Sequence, residues 1–106
     1  MTKPERARRR RREDERAARK TVRETERLAA RLPGGDPERP IEVASAAVIE
    51  VQARATPCAQ CGGTLSVQGD RASSTARGVL RQMDMVCRRC HTPRILWFRV
   101  TPALPS

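Results

Sequence analysis

The chain is almost without aromatic side chains. Trp97 and Phe98 are its only two, and tyrosine is absent. Binding of bases by stacking uses several exposed rings. Trp97 beside Arg99 could supply one such platform, but with no other ring nearby both aromatic rings are expected to be covered within the fold. Histidine occurs once, as His91, so the serine pair Ser73-Ser74 has no histidine partner within sequence reach. A catalytic metal site also keeps an open position and usually draws on several histidines. With no glycine-rich phosphate loop either, the expectation is that the protein is not an enzyme. Long apolar runs are missing, which excludes a membrane-spanning helix. Met1-Thr2-Lys3-Pro4-Glu5-Arg6 leads into arginines and then Glu13, Asp14 and Glu15, not into the apolar stretch of a secretory or twin-arginine signal. The expected setting is cytoplasmic, with reduced thiols.

Lysine is also scarce: of 22 basic residues only Lys3 and Lys20 are lysine. A GC-rich coding bias would favour arginine over lysine. It would not explain why 22 basic residues face 12 acidic ones, for a formal charge of +10. An excess of this size fits a polyanionic partner: RNA or DNA, or a protein complex bound to nucleic acid.

The 106 residues divide unevenly. Residues 1–32 contain few strongly apolar side chains and many helix formers. Pro4 suits a first turn, and Glu5–Arg9 and Glu15–Arg19 have the favourable order for pairs four apart. An exposed arginine-rich helix over 4–32, frayed before Glu13, is expected, or a basic arm that folds on a partner. Residues 33–40 hold three prolines and two glycines and read as a linker. Residues 41–106 carry the core candidates, from Val43 to Leu104. Within them, 44–47 could be helical, and the alternation of Ile49, Val51 and Ala53 predicts a strand over 48–54. Further strands are expected over 64–68, 79–87 and 94–101, with 69–78 as a polar turn or loop and Pro102 and Pro105 as stops. Leu96, Phe98 and Val100 should point one way and Ile95, Trp97 and Arg99 the other, with one face on the sheet's core and the other covered by residues 41–54.

What the chain does have is four cysteines in two matching brackets. Cys58-Ala59-Gln60-Cys61 and Cys87-Arg88-Arg89-Cys90 are both C-x-x-C, separated by residues 62–86. This is the ligand spacing of a tetrahedral four-thiolate Zn2+ site formed by Cys58, Cys61, Cys87 and Cys90. A folded unit of roughly 65 residues is near the size at which a core alone is marginal, and a metal is a usual staple. Two disulfides would need an oxidising compartment. A redox C-x-x-C would need no second bracket and would usually open a helix in a βαβ unit, which the pattern does not suggest. Four thiolates and one Zn2+ add −2, taking the chain from +10 to near +8.

Over residues 56–101 the chain resembles a four-cysteine zinc ribbon of small bacterial-type proteins. Cys58-Ala59-Gln60-Cys61-Gly62-Gly63 is similar to the first knuckle of that family, and Val86-Cys87-Arg88-Arg89-Cys90-His91 to the second. His91 stands where the family often has glycine, and histidine is among the residues that tolerate positive φ. As the neighbour of Cys90 it is poorly placed to share the same ion. The resemblance implies a small zinc-stabilised antiparallel β fold preceded by a long basic α-helix, α+β overall, and binding rather than catalysis. Ribbons active in transcript cleavage carry an acidic pair at the hairpin tip. Here Asp70 is followed by Arg71, so that activity does not carry over. Arg88 and Arg89 could contact phosphate or offset the thiolate charge. Arg8, Arg9, Arg10, Arg11 and Arg12 could hold a nucleic-acid backbone through counterion release, or be a solvated terminus. The alternative function is a protein-interaction module with no nucleic-acid contact.

Overall fold

A computed structural model of the chain describes residues 2–101. The expectations for Leu104, Pro102 and Pro105 lie outside these residues. The fold is α+β. A long helix α1 (Lys3–Arg31) is followed by strand β1 (Ile41–Val43), a 3-10 turn (Ala46–Val48) and helix α2 (Ile49–Ala55). Strands β2 (Leu65–Thr75), β3 (Gly78–Cys87) and β4 (Pro93–Val100) complete it.

Helix α1 is built from local interactions. Thr2 and Glu5 form a capping box, with Thr2 N–H donating to Glu5 Oε2 at 3.2 Å and Glu5 N–H to Thr2 Oγ1 at 3.4 Å. The helix has no buried residue. Pro33-Gly34-Gly35 then turns the chain back tightly. Gly34 has φ +86°, and a Cβ on Gly35 would stand 2.1 Å from the Ala29 carbonyl oxygen. The Gly34 carbonyl accepts from Trp97 N–H at 2.8 Å, and Gly34 N–H donates to Arg39 O at 2.7 Å. Residues 33–40 thus form a hydrogen-bonded turn against β4.

The sheet is mixed, in the order β1-β4-β3-β2. β2–β3 and β3–β4 are antiparallel, while β1 runs parallel to β4 with Ile41 opposite Phe98. The short edge strand β1 comes from residues just after Pro40, where no strand was expected. Alternation along β3 and β4 places Met83, Met85, Cys87, Leu96 and Phe98 in the core. Val43, Ile49, Ala53, Cys58 and Leu65 close it.

Three expectations are corrected. Residues 48–54 are helical where a strand was expected. Ile49 and Ala53 are 1 % and 0 % exposed whereas Val51 is 70 % exposed, and burial four residues apart is the signature of a helix face. Residues 69–75 extend β2 and are not a loop. The turn of the hairpin is Ala76-Arg77, and residues 69–75 pair with β3 as far as Thr75 opposite Gly78. This outer half carries no apolar alternation because it extends beyond the core. Polar pairs cross it instead: Arg81 donates to both carboxylate oxygens of Asp70, and Arg71 lies 3.7 Å from Asp84. Asp70 is consequently in mid-strand, not at the tip. Finally, residues 41–54 do not cover the face opposite the core, because Val43, Ile49 and Ala53 join the core cluster of Leu96 and Phe98. Trp97 lines a cleft of about 480 Å³ with Glu26, Ala30, Gly35 and Ile95.

Candidate metal centre

The two C-x-x-C brackets form near-identical backbone knuckles. In the first, Gly62 N–H donates to Cys58 O at 2.8 Å and Cys58 N–H to Gly63 O at 2.9 Å. In the second, His91 N–H donates to Cys87 O at 3.0 Å and Cys87 N–H to Thr92 O at 3.0 Å. Gly62 and His91 occupy the same left-handed position, with φ 75° and 61°. Most side chains resist that conformation; histidine is among those found there more often. The knuckles are joined by Arg88 N–H donating to Thr64 O at 2.9 Å and Arg89 Nη1 to Cys61 O at 3.3 Å.

This folding brings four sulfurs to one point. The Sγ atoms of Cys58, Cys61, Cys87 and Cys90 all lie within 4.8 Å of one another. Two cross-knuckle separations are Cys58–Cys90 at 3.7 Å and Cys61–Cys87 at 3.4 Å. These are far beyond a disulfide bond, about 2.05 Å, and the four thiols are free. They approach the edge of a thiolate tetrahedron, about 3.8 Å for metal–sulfur bonds of about 2.3 Å. Backbone N–H groups point at the sulfurs: Gly63 at Cys61 (3.4 Å), and Arg89 and Cys90 at Cys87 (3.3 and 3.4 Å). The donor set and its hydrogen bonding fit a metal ion, and these four residues would hold it.

The acidities fit a cation between the sulfurs. Thr92, through its hydroxyl and its N–H, draws the Cys90 thiol down to about 6. The N–H groups of Cys90 and Arg89 lower Cys87 despite burial. The Gly63 N–H favours the Cys61 thiolate too, yet the neighbouring sulfurs, Cys87 first, outweigh it and push Cys61 up to about 11. Sulfurs this close resist full ionisation unless a positive charge shares the site.

His91 is exposed and outside the cluster. Arg88 and Arg89 are exposed on the second knuckle and make no ion pair among the described residues. Arg8, Arg9, Arg10, Arg11 and Arg12 are all exposed on α1. The helix first touches the knuckles at Val22, whose carbonyl accepts from Gln60 Nε2 at 3.2 Å. Arg12 therefore lies roughly 15 Å from that contact along the helix axis, and the structure does not gather the two arginine groups around the cysteines.

A polar latch joins helix to knuckles. Arg94 grips Glu26 with both Nη atoms, at 2.6 and 2.8 Å, and Gln60, inside the first bracket, donates to Glu26 Oε1 at 2.7 Å. Burial raises the Glu26 pKa, but the hydrogen bonds from Arg94 and Gln60 and the Arg94 charge prevail and hold it below its ordinary value. The residue pattern gave no hint of this latch, since Glu26 looks like any other acid on a charged helix.

No protein-family model, curated protein or solved structure matches the chain. Among the described residues no helix is long and apolar enough to cross a membrane.

Proposed function

We propose that the chain is a cytoplasmic zinc-ribbon protein. Its Zn2+ is structural, held by Cys58, Cys61, Cys87 and Cys90, and its basic residues contact nucleic acid or a nucleic-acid-bound complex. The observation that carries the zinc assignment is the convergence of four sulfurs in two pseudo-symmetric knuckles. Four thiolates saturate a tetrahedral ion and leave no open position for substrate, so the role is binding and not catalysis. Soft sulfur ligands in this geometry favour zinc over harder divalent ions.

The nucleic-acid part is supported by the +10 charge. It is supported also by exposed arginines with no carboxylate partner among the described residues, Arg88 on the knuckle and Arg8, Arg10, Arg11 and Arg12 on α1. Fluorescence anisotropy with zinc-loaded protein across a salt series tests it. Phosphate contact requires affinity to fall steeply with salt; salt-independent binding, or none at low salt, refutes it. A protein-interaction module is the second reading. It is favoured by Leu28 on α1 and Leu32 just past its end, 62 % and 61 % exposed. A partner that binds through those leucines would survive high salt.

A further inference from the structure

The cations of α1 are not distributed at random around its axis. At about 100° per residue, Arg12, Arg16, Arg19, Arg23, Arg27 and Arg31 fall within an arc of about 120°. Arg9 and Lys20 lie in the same arc. All are exposed. From Arg12 to Arg31 the arc contains a single carboxylate, Glu13, which is engaged by Arg9 at 3.2 Å. The row is about 29 Å long at 1.5 Å per residue. Its direction is fixed by the Glu26 latch to Arg94 and Gln60, and Glu26 itself sits about 80° round the helix from the middle of the row.

We propose that this row is a track for the phosphate backbone of double-stranded nucleic acid, and that it, rather than Arg8, Arg10 and Arg11 outside it, sets the affinity. The inference rests on the nucleic-acid reading above. A straight row of about 29 Å matches nearly one turn of a duplex, about 34 Å, along which phosphates recur without interruption. A single strand is bound by exposed rings; here Phe98 is buried and Trp97 half-buried in its cleft. A protein partner would be anchored by apolar side chains at the centre of the contact. The row has only Ala30, half-buried in the Trp97 cleft, and Leu28 lies about 120° away from its middle. With no base-reading group in the row, binding should be independent of sequence.

The test compares two triple variants that remove equal charge. Arg16→Gln/Arg19→Gln/Arg23→Gln breaks the row, while Arg8→Gln/Arg10→Gln/Arg11→Gln lies outside it. Zinc-loaded full-length protein is titrated by anisotropy, over a salt series, against a duplex of roughly 20 base pairs, about two turns. One of its single strands and polyglutamate serve as the other probes. Circular dichroism establishes that each variant keeps its helix. For six phosphate contacts, log affinity should fall with log salt at a slope of about −5. The row variant should weaken duplex binding by about tenfold or more and flatten the slope by roughly 3, at 0.9 per lost contact. The variant outside the row should change both far less. Equal losses from both variants would overturn the row and leave nucleic-acid binding standing, as a diffuse charge effect. Tighter binding of the single strand or of polyglutamate would overturn the duplex as partner. No duplex binding at low salt would overturn both this inference and the reading beneath it.

Discussion

The two α-helices of this chain are held in opposite ways. Helix α1 runs for 29 residues and buries none of them. Helix α2 runs for seven and buries Ile49 and Ala53 almost completely. The first is sustained by alanine, arginine and glutamate propensity, a capping box and pairs such as Arg9–Glu13. The second includes β-branched residues and has no side-chain N-cap, so packing rather than capping selects it. Length is thus no guide to how firmly a helix belongs to the fold. The short helix is part of the core around the cysteine knuckles, and the long one is tied to them by one polar latch.

The hardest test of this contrast is Cys87→Ser. A structural zinc site contributes about 10–16 kcal/mol of apparent binding free energy, more than a sheet of this size can replace. The sheet and α2 should lose their cooperative thermal transition together, with metal content falling to zero, while the far-ultraviolet signal of α1 largely persists. A melt unchanged from the parent would separate the knuckles from the core. Next comes Phe98→Ala, at 0 % exposure, expected to cost about 3–5 kcal/mol in denaturant unfolding. Ile49→Ala should cost about 2–5 kcal/mol, and Val51→Ala less than about 0.5 kcal/mol. Similar costs for that pair would mean that α2 does not pack as described.

Glu26→Ala addresses the latch. It leaves Arg94, 11 % exposed, without its carboxylate. The cost should be about 1–2 kcal/mol, less than for a fully buried pair because Glu26 is 39 % exposed. Amide exchange should quicken in 22–31 and scarcely change in β3. The same contact has a pH signature. The Glu26 pKa is lowered from its ordinary 4.5, so its stabilisation is complete above that value and is lost as pH falls through the lowered one. Protection of 22–31 should fade with acid in the parent and show no such step in Glu26→Gln. The smallest effect is expected from Glu50→Ala. It removes an exposed pair with Arg54 at 2.6 Å, and a few tenths of a kcal/mol is the usual scale.

Legibility in the sequence follows the same division. Helix α1 was readable because its determinants are local: Pro4, the helix-forming composition and the prolines and glycines behind it; of its pairings, Arg9 bonds Glu13 rather than the expected Glu5. The cysteines were readable because C-x-x-C spacing itself dictates a knuckle, and His91 at φ 61° fills the position that the resemblance gave to glycine. Helix α2 was misread because Ile49, Val51 and Ala53 satisfy a period of two, while only the core shows that Val51 faces outward. The outer half of the β2–β3 hairpin was read as a loop because its residues are polar on both faces, and pairing with β3 makes them a strand. Nothing local marks Glu26, Gln60 and Arg94 as partners across 34 and 68 residues.

The central claim is that one cation bound by four sulfurs organises this sheet. X-ray absorption at the metal edge on protein purified under reducing conditions tests it most directly. The account predicts one zinc per chain with four sulfurs at about 2.3 Å. Nitrogen or oxygen in the coordination shell, or a folded chain that carries no metal, would contradict it.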